Sequence, residues 1–99
     1  MQLFVYYKFI PQDFPYLHAA IIQLQTNVSS YFPGLKYRLS KRPTLDDQGR
    51  ETWMEQYDFL DEMFDPLILK LNEEIAKIGS VPRRASEVFI DQSIQVRSI

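Results

Sequence analysis

An α+β sandwich of the split β-α-β, ferredoxin-like kind is the fold this sequence predicts: a four-stranded antiparallel sheet, order 4-1-3-2, with two helices on one face. Three observations predict it. Two segments carry apolar residues at helical spacing, and four others read as strands by composition or alternation. Turn residues separate these segments so that the order is β-α-β-β-α-β.

The first strand is Gln2 to Phe9, dense in β-branched and aromatic residues, with neither face plainly polar, as suits a central strand. Pro11 stops it, and Asp13 is a candidate N-cap for a helix carrying Pro15 in its first turn. Leu17, Ala20, Ile21, Leu24, Val28 and Tyr31 then form one helical stripe, closed by Phe32-Pro33-Gly34. Leu35 to Arg42 alternates apolar and polar as a second strand, and the polar segment Pro43–Arg50 returns the chain to a third, Glu51–Asp58. Phe64, Leu67, Ile68, Leu71, Ile75 and Ile78 make the second stripe, with acidic residues near its start, Lys77 near its end and Gly79 as its stop. Val81-Pro82-Arg83-Arg84 leads into a last strand, Ser86–Asp91. Residues 1–91 thus form a single domain, and 92–99 are a tail or an edge extension.

A chain of 99 residues suits one domain, and at this size an additional covered apolar face would help stability. The net charge of -2 and the lack of a basic run argue against a general nucleic-acid binder. Cys is absent, which excludes a disulfide framework, a thiolate metal site and a cysteine nucleophile. No apolar run reaches the length of a membrane span and no basic leader precedes the first strand, so the expected location is the cytoplasm. Three scattered glycines cannot make a phosphate loop, and neither Asp46-Asp47 nor Asp61-Glu62 has calcium-loop spacing. No metal or cofactor is implied.

Two helices cover one face of such a sheet and leave the other to water or to a partner. With Leu3, Val5, Tyr7, Leu35, Tyr37, Leu39 and Met54 facing the helices, the free face carries Phe4, Tyr6, Trp53, Tyr57 and Phe89 among charges that include Lys8, Arg38, Glu55 and Glu87. The third strand's orientation is the sensitive point, because a one-residue slip exchanges its faces. An aromatic face of this size predicts a two-fold homodimer packed sheet to sheet.

The order of elements and this aromatic face resemble the dimeric α/β-barrel superfamily, which includes antibiotic-biosynthesis-type and haem-degrading monooxygenases. The start Leu3-Phe4-Val5-Tyr6-Tyr7-Lys8 and the strand Thr52-Trp53-Met54-Glu55-Gln56-Tyr57 resemble, within it, a small bacterial family of unassigned activity. That family has a Tyr-Tyr first strand followed by Arg or Lys and a Trp/Tyr-Met-Glu-x-Tyr third strand. The resemblance spans Leu3 to Asp91 and implies the fold and a dimer, not an activity. The haem-degrading branch uses an Asn on the first strand, a Trp on the third and a His on the second helix. Here only Trp53 fits, since the first strand has no Asn and the sole histidine, His18, lies on the first helix.

Six residues are candidates for a ligand site or interface: Tyr6, Arg38, Trp53, Glu55, Tyr57 and Arg84. Glu55 between Trp53 and Tyr57 is either a carboxylate of raised pKa in an aromatic pocket or, as the commoner arrangement, the ion-pair partner of Arg38. Tyr6, Trp53 and Tyr57 either stack on a flat ligand or build a dimer core. Arg83 and Arg84 either grip an anion or stay solvated. His18 reads as a helix-surface side chain beside the apolar stripe. No clustered acid, base and nucleophile occurs, so the expected function is a homodimeric binding or accessory module with a small apolar ligand or a partner. The alternative is a cofactor-independent, monooxygenase-like enzyme acting on an aromatic substrate, with Arg38 or Glu55 handling protons.

Overall fold

The computed structural model of the chain describes residues 1–92. Strand β1 (Gln2–Phe9) runs through the middle of the sheet, followed by a 3-10 turn at Pro11–Asp13 and helix α1 (Leu17–Ser29). A hairpin of β2 (Lys36–Lys41) and β3 (Glu51–Asp58) leads through a second 3-10 turn, Asp61–Met63, to helix α2 (Phe64–Ile78) and edge strand β4 (Ala85–Phe89). The sheet order is β2-β3-β1-β4, all pairs antiparallel, which is the predicted order read from the other edge. The expected tail lies outside the described residues from 93 onward. No helix among the described residues is long and apolar enough to cross a membrane.

Local chemistry explains most boundaries. Pro15 disfavours the helical conformation at Phe14, which sits at φ -136° and ψ 60°, so Asp13 ends a separate turn and does not cap α1. Tyr16 precedes α1 without a side-chain cap. Pro66 lies in the first turn of α2, where its missing N–H costs nothing, and Gly79 at φ 90° stops the helix. In the hairpin, Asp46 Oδ1 accepts from the N–H groups of Gln48 (2.9 Å) and Arg50 (2.8 Å), while Oδ2 accepts from Arg50 Nε (2.9 Å). Those bonds close the turn that the Pro43–Arg50 composition suggests.

The helices pack on the face made by Leu3, Val5, Tyr7 and Phe9 of β1 and by Trp53, Glu55 and Tyr57 of β3, all buried. Leu17, Ile21, Leu24 and Val28 of α1 and Leu67 and Leu71 of α2 complete this core. Tyr31, expected on the α1 stripe, lies beyond the end of the helix and is 63% exposed, with Lys70 Nζ 3.8 Å from its ring centroid. Between the helices Glu74 accepts hydrogen bonds from Asn27 Nδ2 (3.0 Å) and Lys77 Nζ (2.6 Å). The Lys77 bond, then the Asn27 bond, hold its carboxyl below the usual range.

The face assignment of the third strand is overturned. β3 turns Trp53, Glu55 and Tyr57 toward the helices and Thr52, Met54 and Gln56 away from them, the reverse of the face assignment above. Two large aromatic side chains gain more from burial than one methionine, and the core supplies enough donors to accept a carboxylate with them. The free face therefore carries Phe4, Tyr6, Met54 and Phe89 as its apolar residues.

The helices cover the sheet edges only in part. On β2, Tyr37 faces the helix side but is 42% exposed, and on β4 the inward-facing Val88 is 44% exposed. Each edge therefore leaves an open groove beside a helix.

Candidate functional site

Glu55 sits at the centre of β3 with no exposed surface. Its register partner on β1 is Val5, and Tyr7, two residues further along β1, faces the same side. The Tyr7 hydroxyl donates to Oε2 at 2.7 Å, and the Tyr57 hydroxyl, two residues along Glu55's own strand, donates to Oε1 at 2.6 Å. Arg84 enters from just before β4 and clamps both oxygens, Nη1 donating to Oε2 at 2.7 Å and Nη2 to Oε1 at 3.0 Å. Such a bidentate fork is the strongest arrangement available to a guanidinium and a carboxylate. Gln25 of α1 adds an outer bond to the Tyr57 hydroxyl at 3.5 Å and anchors itself on the Arg38 carbonyl at 3.2 Å.

The electrostatics follow from burial. Desolvation first, and the Glu55 charge second, push the phenols of Tyr7 and Tyr57 far above their ordinary range, so both stay protonated as donors. Burial pulls Arg84 down, but its bonds to Glu55 outweigh this and the net shift is upward. The expected Arg38–Glu55 pair does not form, because alternation puts Arg38 on the opposite face of the sheet. Arg84 takes its place.

Arg84 also lines a cleft. Ile68, Leu71, Asn72 and Ile75 of α2 face Leu3 and Val5 of β1 and Ser86 of β4 across a space of about 370 Å³, with Arg84 in the wall. The Arg84 side chain is 18% exposed there and its planar group lies 5.3 Å from the Tyr7 ring. The space is of ligand size, and its walls mix the apolar side chains with the polar Asn72, Arg84 and Ser86.

The six sequence candidates divide. Glu55, Tyr57 and Arg84 come together in the buried network. Trp53 lies next to it on the same face, its ring 6.2 Å from Tyr7, 5.0 Å from Phe9 and 5.8 Å from His18. Its indole N–H donates to Glu51 Oε2 at 2.9 Å. That bond first, then Lys41, holds the Glu51 carboxyl below the usual range. Tyr6 and Arg38 lie on the far face, where the Tyr6 hydroxyl donates to Glu87. Arg83 is exposed, and so is His18 despite its contact with Trp53.

Two members of the network are absent from the sequence candidates, Tyr7 and Gln25. Tyr7 reads as an ordinary core aromatic, and only the pairing of β1 with β3 brings its hydroxyl to Glu55. Gln25 has a legible signal: it is a polar residue next to Leu24 and three before Val28, on the buried side of a helix. Such a side chain needs a partner inside the fold.

No protein-family profile matches the sequence, and no curated protein does. Solved structures do. The de novo designed protein Foldit4 superimposes with a TM-score of 0.68 at 10% identity, over 92% of this chain and 97% of its own. The de novo designed protein LFR1 1, described as having a ferredoxin fold, superimposes with 0.54 at 15% identity, over 97% and 93%. A Caulobacter crescentus protein assigned provisionally to antibiotic biosynthesis monooxygenases aligns more loosely, with 0.49 at 16% identity over 91% and 89%. What the chain shares with the two designed proteins, at such low identity, is the ferredoxin fold itself.

Proposed function

We propose that the chain is a small homodimeric binding protein whose cleft between α2 and the β1–β4 edge takes an apolar ligand with an anionic end. The observation that carries this is the state of Arg84. Two of its N–H groups are committed to a fully buried carboxylate, while the same side chain lines a cleft of about 370 Å³ with apolar residues from α2 and β1. An arginine held rigidly in the wall of such a cleft is suited to a carboxylate or phosphate head group. The homodimer reading is supported by the free sheet face, where Phe4, Tyr6, Met54 and Phe89 lie uncovered by any helix.

The enzyme reading draws less support. A proton-handling Glu55 would need a lone pair to spare, yet it accepts four hydrogen bonds and has no exposed surface. Arg38, its proposed helper, lies on the other side of the sheet.

Calorimetric titration with decanoate, against decanol of equal chain length, tests the ligand class. Binding of decanoate at least about tenfold tighter than decanol is expected, the difference one charge-assisted contact supplies. Ile75→Trp, which fills the cleft, abolishes both. Equal affinities would remove Arg84 as the head-group partner, and no binding of either probe would overturn the proposed ligand class.

A further inference from the structure

The free sheet face has a charge and shape pattern that selects one way of pairing two copies. Strand register sets out its rows. One row runs Arg38, Gln56, Phe4, Glu87 from the β2 edge to the β4 edge, and the next runs Ser40, Met54, Tyr6, Ala85. Lys36 adds a second positive charge on the β2 side, and Glu87 is the acidic residue on β4. The two edge strands thus differ in charge, Lys36 and Arg38 on β2 against Glu87 on β4, while the central strands carry Met54, Phe4 and Tyr6 together with Gln56, Asp58, Gln2 and Lys8.

Two sheets can pack face to face about a two-fold axis in two ways. An axis across the strands lays β2 on the partner's β2 and brings Lys36 and Arg38 against more basic residues. An axis along the strands lays β2 on the partner's β4 and keeps each row on its own counterpart. Resting on the homodimer reading above, we infer that the two copies meet in the second way, with the axis between β3 and β1, so that Arg38 of each copy pairs with Glu87 of the other. Met54 then meets Tyr6, Gln56 meets Phe4 and Ser40 meets Ala85, which places Met54, Tyr6 and Phe4 at the centre and the Arg38–Glu87 pairs at the rim. Aligned sheets stand about 10 Å apart at about 30°, a separation and offset that a long arginine spans.

The partners are ready for this. Among the described residues the Arg38 guanidinium has no side-chain partner, and the same holds for Lys36. Glu87 Oε1 accepts from the Tyr6 hydroxyl, which holds the carboxylate in place and leaves its second oxygen for a donor from outside. Phe4 and Phe89 pack edge to face at 5.4 Å and stiffen that side of the face.

Sedimentation equilibrium on the wild type, Arg38→Glu, Glu87→Arg and the double variant tests the pairing. The wild type is expected to be a dimer, each single change to raise its dissociation constant at least about tenfold, and the double change to restore it to within about threefold. A monomeric wild type would overturn the homodimer reading and this inference with it. A dimer insensitive to the single changes, or one that the double change fails to rescue, would overturn only the orientation. Cross-linking gives a second readout, since the chain contains no cysteine of its own. Ser40→Cys and Ala85→Cys chains mixed with a short bis-maleimide should link to each other, whereas linking of Ser40→Cys to itself would contradict the axis.

Discussion

A carboxylate with no exposed surface is tolerated inside this domain because Tyr7, Tyr57 and Arg84 replace its water with four hydrogen bonds. The two members of the ion pair are not equivalent. Arg84 keeps an edge in the cleft, while Glu55 has no route to solvent. Arg84→Met should therefore cost about 3–5 kcal/mol, because it strands a buried charge, and Glu55→Leu should cost less. The double variant should recover part of the loss, giving a coupling above about 1 kcal/mol, although the two tyrosine hydroxyls left without an acceptor keep it from being neutral. Urea unfolding midpoints of the three variants decide this. Equal and additive losses would mean that the bidentate pair is not the centre of the network.

The elements owe their limits to a few residues whose backbone chemistry is decisive. Gly79 ends α2 at φ 90° and ψ -110°, a conformation a side chain resists, yet a Cβ placed there would meet nothing within 4 Å. Gly79→Ala should thus cost about 1–3 kcal/mol through backbone strain alone, with no packing contribution. Thermal unfolding measures it, and an unchanged midpoint would show that α2 can end in another way. The helix ends matter for the cleft as well. Arg84 lies five residues beyond Gly79, so the direction in which the chain leaves α2 decides whether the guanidinium reaches Glu55.

Across the whole molecule, the buried phenols couple folding to alkaline pH. Tyr7 and Tyr57 have folded-state pKa values raised above the usual value of about 10, by burial first and by Glu55 second. The unfolded chain gives up these protons near pH ~10 while the folded chain keeps them, so their contribution is intact below that pH and is lost as pH rises above it. Each should lower stability by about 1.4 kcal/mol per pH unit in that range. Absorbance of phenolate near 295 nm should therefore show these two groups ionising only together with loss of the far-ultraviolet circular dichroism signal, and Tyr7→Phe with Tyr57→Phe should flatten the alkaline slope. Ionisation of either phenol in the folded chain would mean that the network is open to water.

The sequence by itself determined the order of elements, the central place of the first and third strands and the presence of one unpaired sheet face. Those features follow from apolar periodicity, from turn residues such as Asp46 and Gly79, and from the handedness of connections, all of them local or general. It also nominated Glu55 and Tyr57, because charged and aromatic residues alternate on the third strand, and Arg84, as an arginine before the last strand able to grip an anion. Which side of the sheet they occupy was left to the tertiary structure. On β3 both faces are mixed, so local pattern cannot choose between Met54 and Glu55 as the inward residue. The choice rests on donors from three other parts of the chain: Tyr7 on β1, Arg84 before β4 and, through Tyr57, Gln25 on α1. A buried charge is stable only where partners distant in sequence converge on it, and that convergence exists only once the chain has folded.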